Sequence, residues 1–384
     1  MIKYLGSKRR LVEVIAAAVA ELPVAGVCDA FAGTTRVGQR LRRAGLRVVS
    51  NDVAAYSEVF GHAYIGAGPD TDRPRLRRLI EELNRLPGVD GYVTETFCRG
   101  ARFLHPANGR RIDAIRDRID RLDLDPTERG LLLTSLIEAA DRVDSTCGVQ
   151  MAFLKSWAPR ALRPLELREP AAVEGPAGEI SRVDALDLPA RLRGVDCVYL
   201  DPPYNQHSYL ANYHVWETIV RNDRPAHYGL ARKRLDTRAR ASVFNSRRRS
   251  LAALAALVDA LPVRWIVMSF SDEGFHDLAA IRGLLAGRGH VGELAVGARR
   301  YVGAQIGIHN PAGERVGRVS HLHHTEMMFV AGPDAAAVRR AVASARRLAG
   351  PRARTGSAGS RASGTRAASS AGGAASARRG TARA

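Results

Sequence analysis

Cysteine is scarce in this chain, and long apolar runs are missing. The 384 residues include four widely scattered cysteines, and no two of them have the spacing of a metal-binding pair. We therefore expect neither a disulfide framework nor a zinc site, and we interpret Cys28 and Cys197, which lie in short apolar runs, as core residues. The N-terminal residues lack the apolar core of a signal peptide, and no apolar run approaches the ~20 residues of a membrane span. A cytoplasmic protein without a membrane partner is predicted.

Acidic residues are also few, at 39 against 58 lysines and arginines, which gives a formal net charge of +19. The segment from Pro351 onward holds seven arginines and no acid, and the rest of the chain is still basic. This balance fits a polyanionic partner such as nucleic acid, although an arginine-rich coding background would also produce it. Residues 334–384 are rich in Ala, Arg, Ser and Gly, and they are predicted to be a disordered basic tail that adds non-specific affinity for DNA.

One stretch carries a clear chemical pattern, residues 196–209. An apolar run, residues 197–200, predicts a buried strand that ends at Asp201-Pro202-Pro203-Tyr204. Neither proline has an N–H to continue a sheet ladder, so a stiff turn follows the carboxyl end of the strand. In an open α/β sheet, ligands bind at this end of the strands.

The turn offers two acceptors and an aromatic ring. The Asp201 carboxylate and the Pro202 carbonyl could accept hydrogen bonds from a planar exocyclic amine, such as N6 of adenine. Such acceptors favour a tetrahedral nitrogen whose lone pair is free to attack an electrophilic methyl group. Tyr204 would stack on the base. The alternative is a rigid proline turn that only ends a strand.

A second pattern lies near the N-terminus, where a short strand runs into a small-residue loop (residues 29–34) and then a helix. The next strand ends at Asn51-Asp52, which places an acid for a ribose hydroxyl pair. The loop lacks the G-x-G-x-x-G pattern, which favours a nucleoside cofactor without phosphates, such as S-adenosylmethionine, over NAD. Asp184 ends a further predicted strand and could accept from the amine of the cofactor's adenine, although a lone Asp is more often a turn residue.

Two basic segments are candidates for contact with DNA. The loop at residues 97–105 mixes aromatic residues with arginines, among them Arg102, which suits unstacked bases and phosphates but also a packed loop. Residues 232–249 are dense in arginine and include Arg247 and Arg248. A solvated charge run is the usual explanation of such a segment, but a neighbouring base-binding turn favours phosphate contact. Three histidines (His321, His323 and His324) have no fourth ligand nearby in sequence, so no metal site is expected.

In this order the motifs resemble those of the Dam-type adenine-specific DNA methyltransferases, in which the cofactor motifs precede the catalytic motif. The resemblance extends from Lys3 to about Val330. It implies that residues 3–8 lie beside the methionine end of the cofactor. The residues that match the family's cofactor-binding set are Tyr4, Lys8, Asp29, Phe31, Gly33, Thr34, Asp52 at the ribose and Asp184 at the cofactor adenine.

The catalytic tetrapeptide of the family is matched in full by residues 201–204. The resemblance implies that Asp201 and Pro202 activate the target amine and that Tyr204 stacks on the target base. Tyr209 is an expected contact with DNA. At the two positions before it, relatives in one branch of the family carry an arginine-glutamine pair, whereas this chain has His207 and Ser208. Residues of that branch are also matched at Tyr213, His214, Glu217 and the segment 269–274.

The resemblance implies an α/β fold with a Rossmann-like S-adenosylmethionine-dependent methyltransferase sheet and a helical target-recognition insertion. Residues 1–54 and 165–333 would form the catalytic domain, and residues 55–164 the insertion. The expected reaction transfers a methyl group from S-adenosylmethionine to N6 of an adenine flipped out of double-stranded DNA, and a cognate restriction endonuclease is a further candidate partner. The alternatives are an N4-cytosine enzyme, an RNA or glutamine methyltransferase, which usually presents Asn in place of Asp201, and a catalytically silent DNA-binding module of the same fold.

Overall fold

The computed structural model describes residues 2–5, 8, 11–299 and 323–349. Seven strands of this part of the chain form one mixed sheet, and two short strands form a separate hairpin. The strands are β1 (Gly26–Asp29), β2 (Arg47–Asn51), β3 (Glu179–Ser181), β4 (Cys197–Leu200), β5 (His227–Tyr228), β6 (Lys233–Arg234), β7 (Trp265–Ser271), β8 (His290–Arg299) and β9 (His323–Gly332).

The strand order in the sheet is β3-β2-β1-β4-β7-β9-β8. The first five of these strands run parallel, whereas β9 and β8 are antiparallel to their neighbours. β1 lies at the centre, where Val27 pairs with Val48 of β2 and with Cys197 of β4. The chain order reverses between β1 and β4, so their carboxyl ends open a crevice there. The predicted mixed α/β sheet is confirmed.

Helices cover both faces of the sheet. One face packs against α1 (Val12–Ala20), α2 (Arg36–Arg43) and α11 (Ala335–Ala349), and the other against α9 (Ser250–Ala260) and α10 (Leu278–Ala286). The predicted parallel strands are short apolar runs because both of their faces are buried. Cys28 and Cys197 are fully buried, as expected of core residues.

A helical insertion separates β2 from β3. It contains α3 (Ala55–Gly61), α4 (Arg73–Arg85), α5 (Pro106–Asp120) and α6 (Pro126–Arg142), with a hydrophobic core of their own. Asp125 caps α6, where one carboxylate oxygen accepts from the N–H groups of Thr127 and Glu128 at 2.7 and 2.8 Å. After the predicted catalytic turn (residues 201–204) come α7 (Tyr209–Asn212) and α8 (His214–Arg221), and α8 packs into the insertion's core rather than against the sheet. The insertion therefore shares its core with the chain that follows the turn.

The prediction of disorder from residue 334 is wrong for residues 335–349, which form α11. Its buried residues recur at helical spacing, and α11 packs against α1 and β8. They are Ala337, Val338, Ala341, Val342 and Ala345. Alanine counted as low apolar content in the sequence, yet its small side chain lets two helices approach closely and is the strongest helix former. Residues 350–384 of the predicted tail lie outside the described residues.

No helix among the described residues is both long enough and apolar enough to cross a lipid bilayer.

Candidate active site

A cavity of about 310 Å³ opens where the carboxyl ends of β1, β2 and β4 meet. Residues from the N-terminal segment, the β1 loop, the end of β2 and the catalytic turn line it together, although they are far apart in sequence. Its lining includes the predicted residues Tyr4, Lys8, Asp29, Phe31, Gly33, Thr34, Asp52, Asp184, Asp201 and Tyr209. The structure thus brings the whole predicted cofactor set and the first catalytic residue to one place.

The loop after β1 is fixed by Asp52. One carboxylate oxygen accepts from the Gly33 N–H at 2.9 Å, and the other accepts from the Ala54 N–H at 3.0 Å. Gly33 has φ +51°, and a Cβ there would lie 3.1 Å from the Tyr4 hydroxyl. Glycine is therefore required both by its backbone conformation and by the close approach of the N-terminal segment.

Asp29 lines the cavity and has one carboxylate oxygen without a hydrogen-bond partner among the described residues. Its Oδ2 accepts from the Gly38 N–H at 3.3 Å, whereas its Oδ1 is buried and has no hydrogen-bond partner. Burial, with the negative charge of Asp201 adding to it, raises the pKa of Asp29 to about 8. A buried polar atom without a partner is costly, so a ligand that donates to this oxygen would be favoured.

Asp201 is held from one side. Its Oδ1 accepts from the Ser269 hydroxyl at 2.9 Å and pairs with the Lys8 ammonium at 3.0 Å. Burial raises the pKa of Asp201, and Lys8 opposes that effect. Among the described residues, the hydrogen bond from Ser269 and the ion pair with Lys8 both fall on Oδ1.

Lys8 was predicted to bind the cofactor, and it lines the cavity as expected. Its ammonium, however, lies between two carboxylates, 3.0 Å from Asp201 Oδ1 and 3.3 Å from Glu326 Oε2. The charge of Lys8 is therefore directed at the carboxylates of Asp201 and Glu326.

The other two residues of the catalytic prediction lie beside the cavity rather than in its lining. Pro202 is buried and Tyr204 is half-buried, and Pro203 lines the cavity between them. The Tyr204 ring meets Phe270 edge-on at 6.1 Å, and its carbonyl accepts from the Phe275 N–H at 2.9 Å. The turn is thereby attached to the segment that follows β7.

Tyr209 was predicted to contact DNA, and the structure places it in the wall of the cavity. Its ring is stacked on Tyr4 at 5.6 Å, and Tyr4 is stacked in turn on Tyr213 at 4.5 Å. These rings join the N-terminal segment to the helices after the catalytic turn.

The arginines predicted to bind DNA are exposed and lie outside the cavity lining. The Arg102 guanidinium donates to the Lys155 carbonyl. Arg247 and Arg248 lie just after residues 239–245, most of which line the cavity, and Asn245 donates to the Asn205 carbonyl at 2.8 Å. The segment that carries these two arginines is therefore anchored to the catalytic turn.

Several residues that build the site make contacts that were not predicted from the sequence. Glu217 is fully buried; one of its oxygens accepts from the Ala55 N–H at 2.9 Å, and the other from the cavity-lining Arg240 at 2.8 Å. Ser269 and Glu326 hold the catalytic centre, as described above. No local pattern marks these contacts, because the partners are far apart in sequence. Within the described residues, no cluster of His, Cys, Asp or Glu could hold a metal ion, and His324 instead contacts Glu326 at 3.1 Å.

Comparison with known proteins gives a family match over most of the chain. The model of the D12 class N6 adenine-specific DNA methyltransferases matches residues 4–258. The type II methyltransferase M.NlaIII of Neisseria lactamica is 32% identical over 294 residues, which cover 73% of this chain and 86% of that protein. The modification methylase StsI of Streptococcus sanguinis is 29% identical over 293 residues, and here the match covers 71% of this chain but only 44% of the larger relative.

Proposed function

The chain belongs to the D12 class N6 adenine-specific DNA methyltransferases, and from this premise we propose which residues carry out the reaction. The enzyme transfers a methyl group from S-adenosylmethionine to the N6 atom of adenine in DNA. The observation that carries the assignment of roles is the position of Asp201, whose carboxylate lines the same cavity as Asp29 and Asp52. Methyl transfer from labelled cofactor to unmethylated genomic DNA, followed by nucleoside analysis, tests the function.

The cavity fits S-adenosylmethionine at three positions. Asp29 Oδ1, which is buried and unpartnered, is suited to accept from the α-ammonium of the methionine part. Asp52 keeps acceptor capacity on both oxygens for the two ribose hydroxyls, and Asp184 lies at the lining for the adenine amine. When bound, this cofactor supplies an electrophilic methyl group on a sulfonium sulfur.

Asp201 and Pro202 are proposed to activate the target amine. Asp201 Oδ2 accepts from one N6–H and the Pro202 carbonyl from the other, so the nitrogen becomes tetrahedral and its lone pair is directed at the methyl group. The nitrogen gains positive charge as its new bond forms, and the ionised carboxylate stabilises that charge. Burial raises the pKa of Asp201, and the Lys8 ammonium at 3.0 Å opposes that rise and so favours the ionised carboxylate.

The target adenine must leave the helix to reach Asp201. Asp201 and Pro203 line a cavity at the carboxyl ends of the strands, and the residues of the proposed cofactor site line the same cavity. A base within the stack cannot enter such a cavity, and extrusion costs a few kcal/mol. We therefore propose that the enzyme acts on a flipped adenine in double-stranded DNA, and that the helical insertion recognises the target sequence.

Tyr204→Ala is expected to slow methyl transfer by about 10- to 100-fold, since stacking on an aromatic ring contributes about 1–3 kcal/mol per base. Tyr204→Phe keeps the ring and should retain most of the activity. Single-turnover transfer with both variants measures the difference. Equal rates for the alanine variant and the wild type would exclude Tyr204 as the stacking residue.

Replacing Arg247 and Arg248 together by alanine is expected to weaken DNA binding and to reduce its dependence on salt. Each lost phosphate contact should lower the slope of log affinity against log salt by about 1, so the pair should lower it by about 2. Fluorescence anisotropy with labelled duplex DNA over a salt series measures the slope. The matched control is Arg339→Ala/Arg340→Ala, since these exposed arginines are on α11, on the opposite face of the sheet from α9. Equal slopes for both double variants would contradict phosphate contact by Arg247 and Arg248.

We propose further that the enzyme modifies DNA in the cytoplasm beside a cognate restriction endonuclease. Such a pairing is supported by the similarity to a type II methyltransferase and to a modification methylase. Plasmid DNA modified by this enzyme and challenged with a panel of type II endonucleases should resist at least one of them. Cleavage by every enzyme whose site was shown to carry the modified adenine would count against a protective role.

A further inference from the structure

The ammonium of Lys8 is shared by two buried carboxylates, and only one of them has a role in the proposed reaction. Lys8 Nζ lies 3.0 Å from Asp201 Oδ1 and 3.3 Å from Glu326 Oε2. The side chains of Lys8 and Glu326 are 8% and 9% exposed, so the pair is largely withdrawn from solvent. A buried ion pair of this kind is expensive to form and needs a reason to be present at a catalytic centre.

Both oxygens of Glu326 are engaged. Oε2 faces Lys8, and Oε1 contacts His324 Nε2 at 3.1 Å. Although burial acts to raise it, Lys8 and His324 lower the pKa of Glu326 to about 2, so this carboxylate stays ionised at any working pH. His324 therefore holds the Glu326 carboxylate, and that carboxylate in turn holds the Lys8 ammonium.

The sheet places these groups on one side of Asp201. Glu326 is on β9, directly opposite Ser271 of β7, and Ser269 of β7 donates to Asp201 Oδ1. Two adjacent strands therefore deliver the hydroxyl and the held ammonium to the same carboxylate oxygen. These contacts hold one oxygen of the carboxylate, and in the proposed reaction the other oxygen, Oδ2, accepts from the target amine.

Charge gives a second reason for Glu326. Among the described residues, the ionisable groups with the largest electrostatic effect on Lys8 are Asp201, Glu326 and the phenols of Tyr199 and Tyr204. Lys8 with Asp201 alone would be neutral, and the ammonium would draw electron density from the oxygens that must accept from the amine. With Glu326 the trio carries one net negative charge, so Asp201 remains a strong acceptor for the positive charge that develops on N6.

We propose that Glu326, fixed by His324, is a positioning residue that acts on Asp201 through Lys8. This inference rests on the proposed role of Asp201 and extends it to the antiparallel part of the sheet. Glu326 touches neither substrate nor cofactor in this arrangement, so its loss should affect the rate of methyl transfer and leave cofactor affinity unchanged.

The test uses the full-length enzyme with Glu326→Gln. Single-turnover transfer from labelled S-adenosylmethionine to unmethylated plasmid DNA should be slowed by at least about tenfold, the order expected when an electrostatic contact to the transition state is weakened. The dissociation constant of S-adenosylhomocysteine, measured by calorimetry, should stay within about twofold of the wild-type value. Glu293→Gln is the matched control, because Glu293 lies on the neighbouring β8 and pairs with Arg282 at 3.3 Å. It should behave as the wild type.

A double-mutant cycle tests the route through Lys8. If Glu326 acts only by holding Lys8, the variant Lys8→Ala/Glu326→Gln should transfer no more slowly than Lys8→Ala alone. Losses that multiply would show that Glu326 acts independently and would overturn the proposal. A wild-type rate for Glu326→Gln would do the same.

Two more variants cover the case in which Glu326→Gln does not fold, as judged by circular dichroism. Glu326→Asp keeps the negative charge at position 326. It should transfer methyl groups faster than His324→Ala/Glu326→Asp, in which the shortened carboxylate also loses its contact with His324. Equal transfer rates for these two variants would show that His324 does not help to position the carboxylate at position 326. If the wild-type enzyme methylates no adenine, the proposed function itself has failed. If the wild type methylates adenine and Glu326→Gln does so at the same rate, only the role of Glu326 is contradicted.

Discussion

Asp201→Ala is expected to lower methyl transfer to DNA by at least about 100-fold, the order of loss seen when a preorganised group facing transition-state charge is removed. The variant loses the oxygen that accepts from N6 and the negative charge that stabilises the developing cation. Lys8 would keep a partner in Glu326, which lies 3.3 Å from its ammonium, so the variant should not expose an unpaired buried charge. The fold and the cofactor site should therefore persist.

Single-turnover transfer and calorimetric binding of S-adenosylhomocysteine measure the two halves of this expectation. Asp187→Ala is a suitable control, since it removes an exposed acid three residues after the cavity-lining Asp184. A large loss of transfer with cofactor affinity kept would support a role for Asp201 in chemistry. A loss of cofactor affinity of similar size would instead assign Asp201 to the cofactor site.

Cofactor affinity is expected to fall as the pH decreases below about 8, the pKa to which burial raises Asp29. The protonated carboxyl cannot pair with the cofactor's ammonium, and bound ammonium would lower the pKa of Asp29. Binding is therefore linked to loss of a proton, with full affinity above the raised pKa. Below it the affinity should decrease by up to about tenfold per pH unit until the pKa of the bound state is reached.

Asp29→Asn separates this effect from titration of the ligand's own amine. The variant keeps an acceptor for the Gly38 N–H but carries no charge at any pH. The ratio of wild-type to variant affinity for S-adenosylhomocysteine should be largest above about pH 8 and should shrink towards about pH 6, because only the wild type gains the charge. A ratio that does not change with pH would mean that Asp29 does not meet the ammonium.

Local patterns were enough to predict that the acids of the proposed cofactor site lie close together. Each acid in that set directly follows or ends a predicted strand, and parallel strands bring their carboxyl ends to one edge of the sheet. Asp29 is the last residue of β1, and Asp52 directly follows the neighbouring strand β2. Asp201 directly follows β4, which lies on the other side of β1. Knowing that these strands are adjacent was sufficient to expect a shared cavity.

The contacts that hold the catalytic acid could not be predicted in this way. Lys8 and Glu326 are 318 residues apart, and their pairing depends on β9 inserting beside β7 in the antiparallel direction. A lone Glu in a predicted strand gives no sign of a buried ion pair. The stack of Tyr4 on Tyr209 and Tyr213 was missed for the same reason, since no spacing rule joins residues so far apart.

Composition misled where alanine was abundant. The segment 335–349 shares its Ala and Arg content with the chain that follows, yet its apolar positions recur with helical period and are buried against α1 and β8. Periodicity, rather than mean apolar content, was the signal that distinguished this helix.

We propose that the enzyme methylates N6 of adenine in the cavity that Asp201 lines. The most direct test of this proposal is transfer of labelled methyl from S-adenosylmethionine to unmethylated genomic DNA by the purified protein, with chromatographic identification of the modified nucleoside. We expect N6-methyladenine as the product of the wild-type enzyme, and none above background with Asp201→Ala. N4-methylcytosine in its place, or cofactor binding with no transfer to DNA at all, would contradict the account.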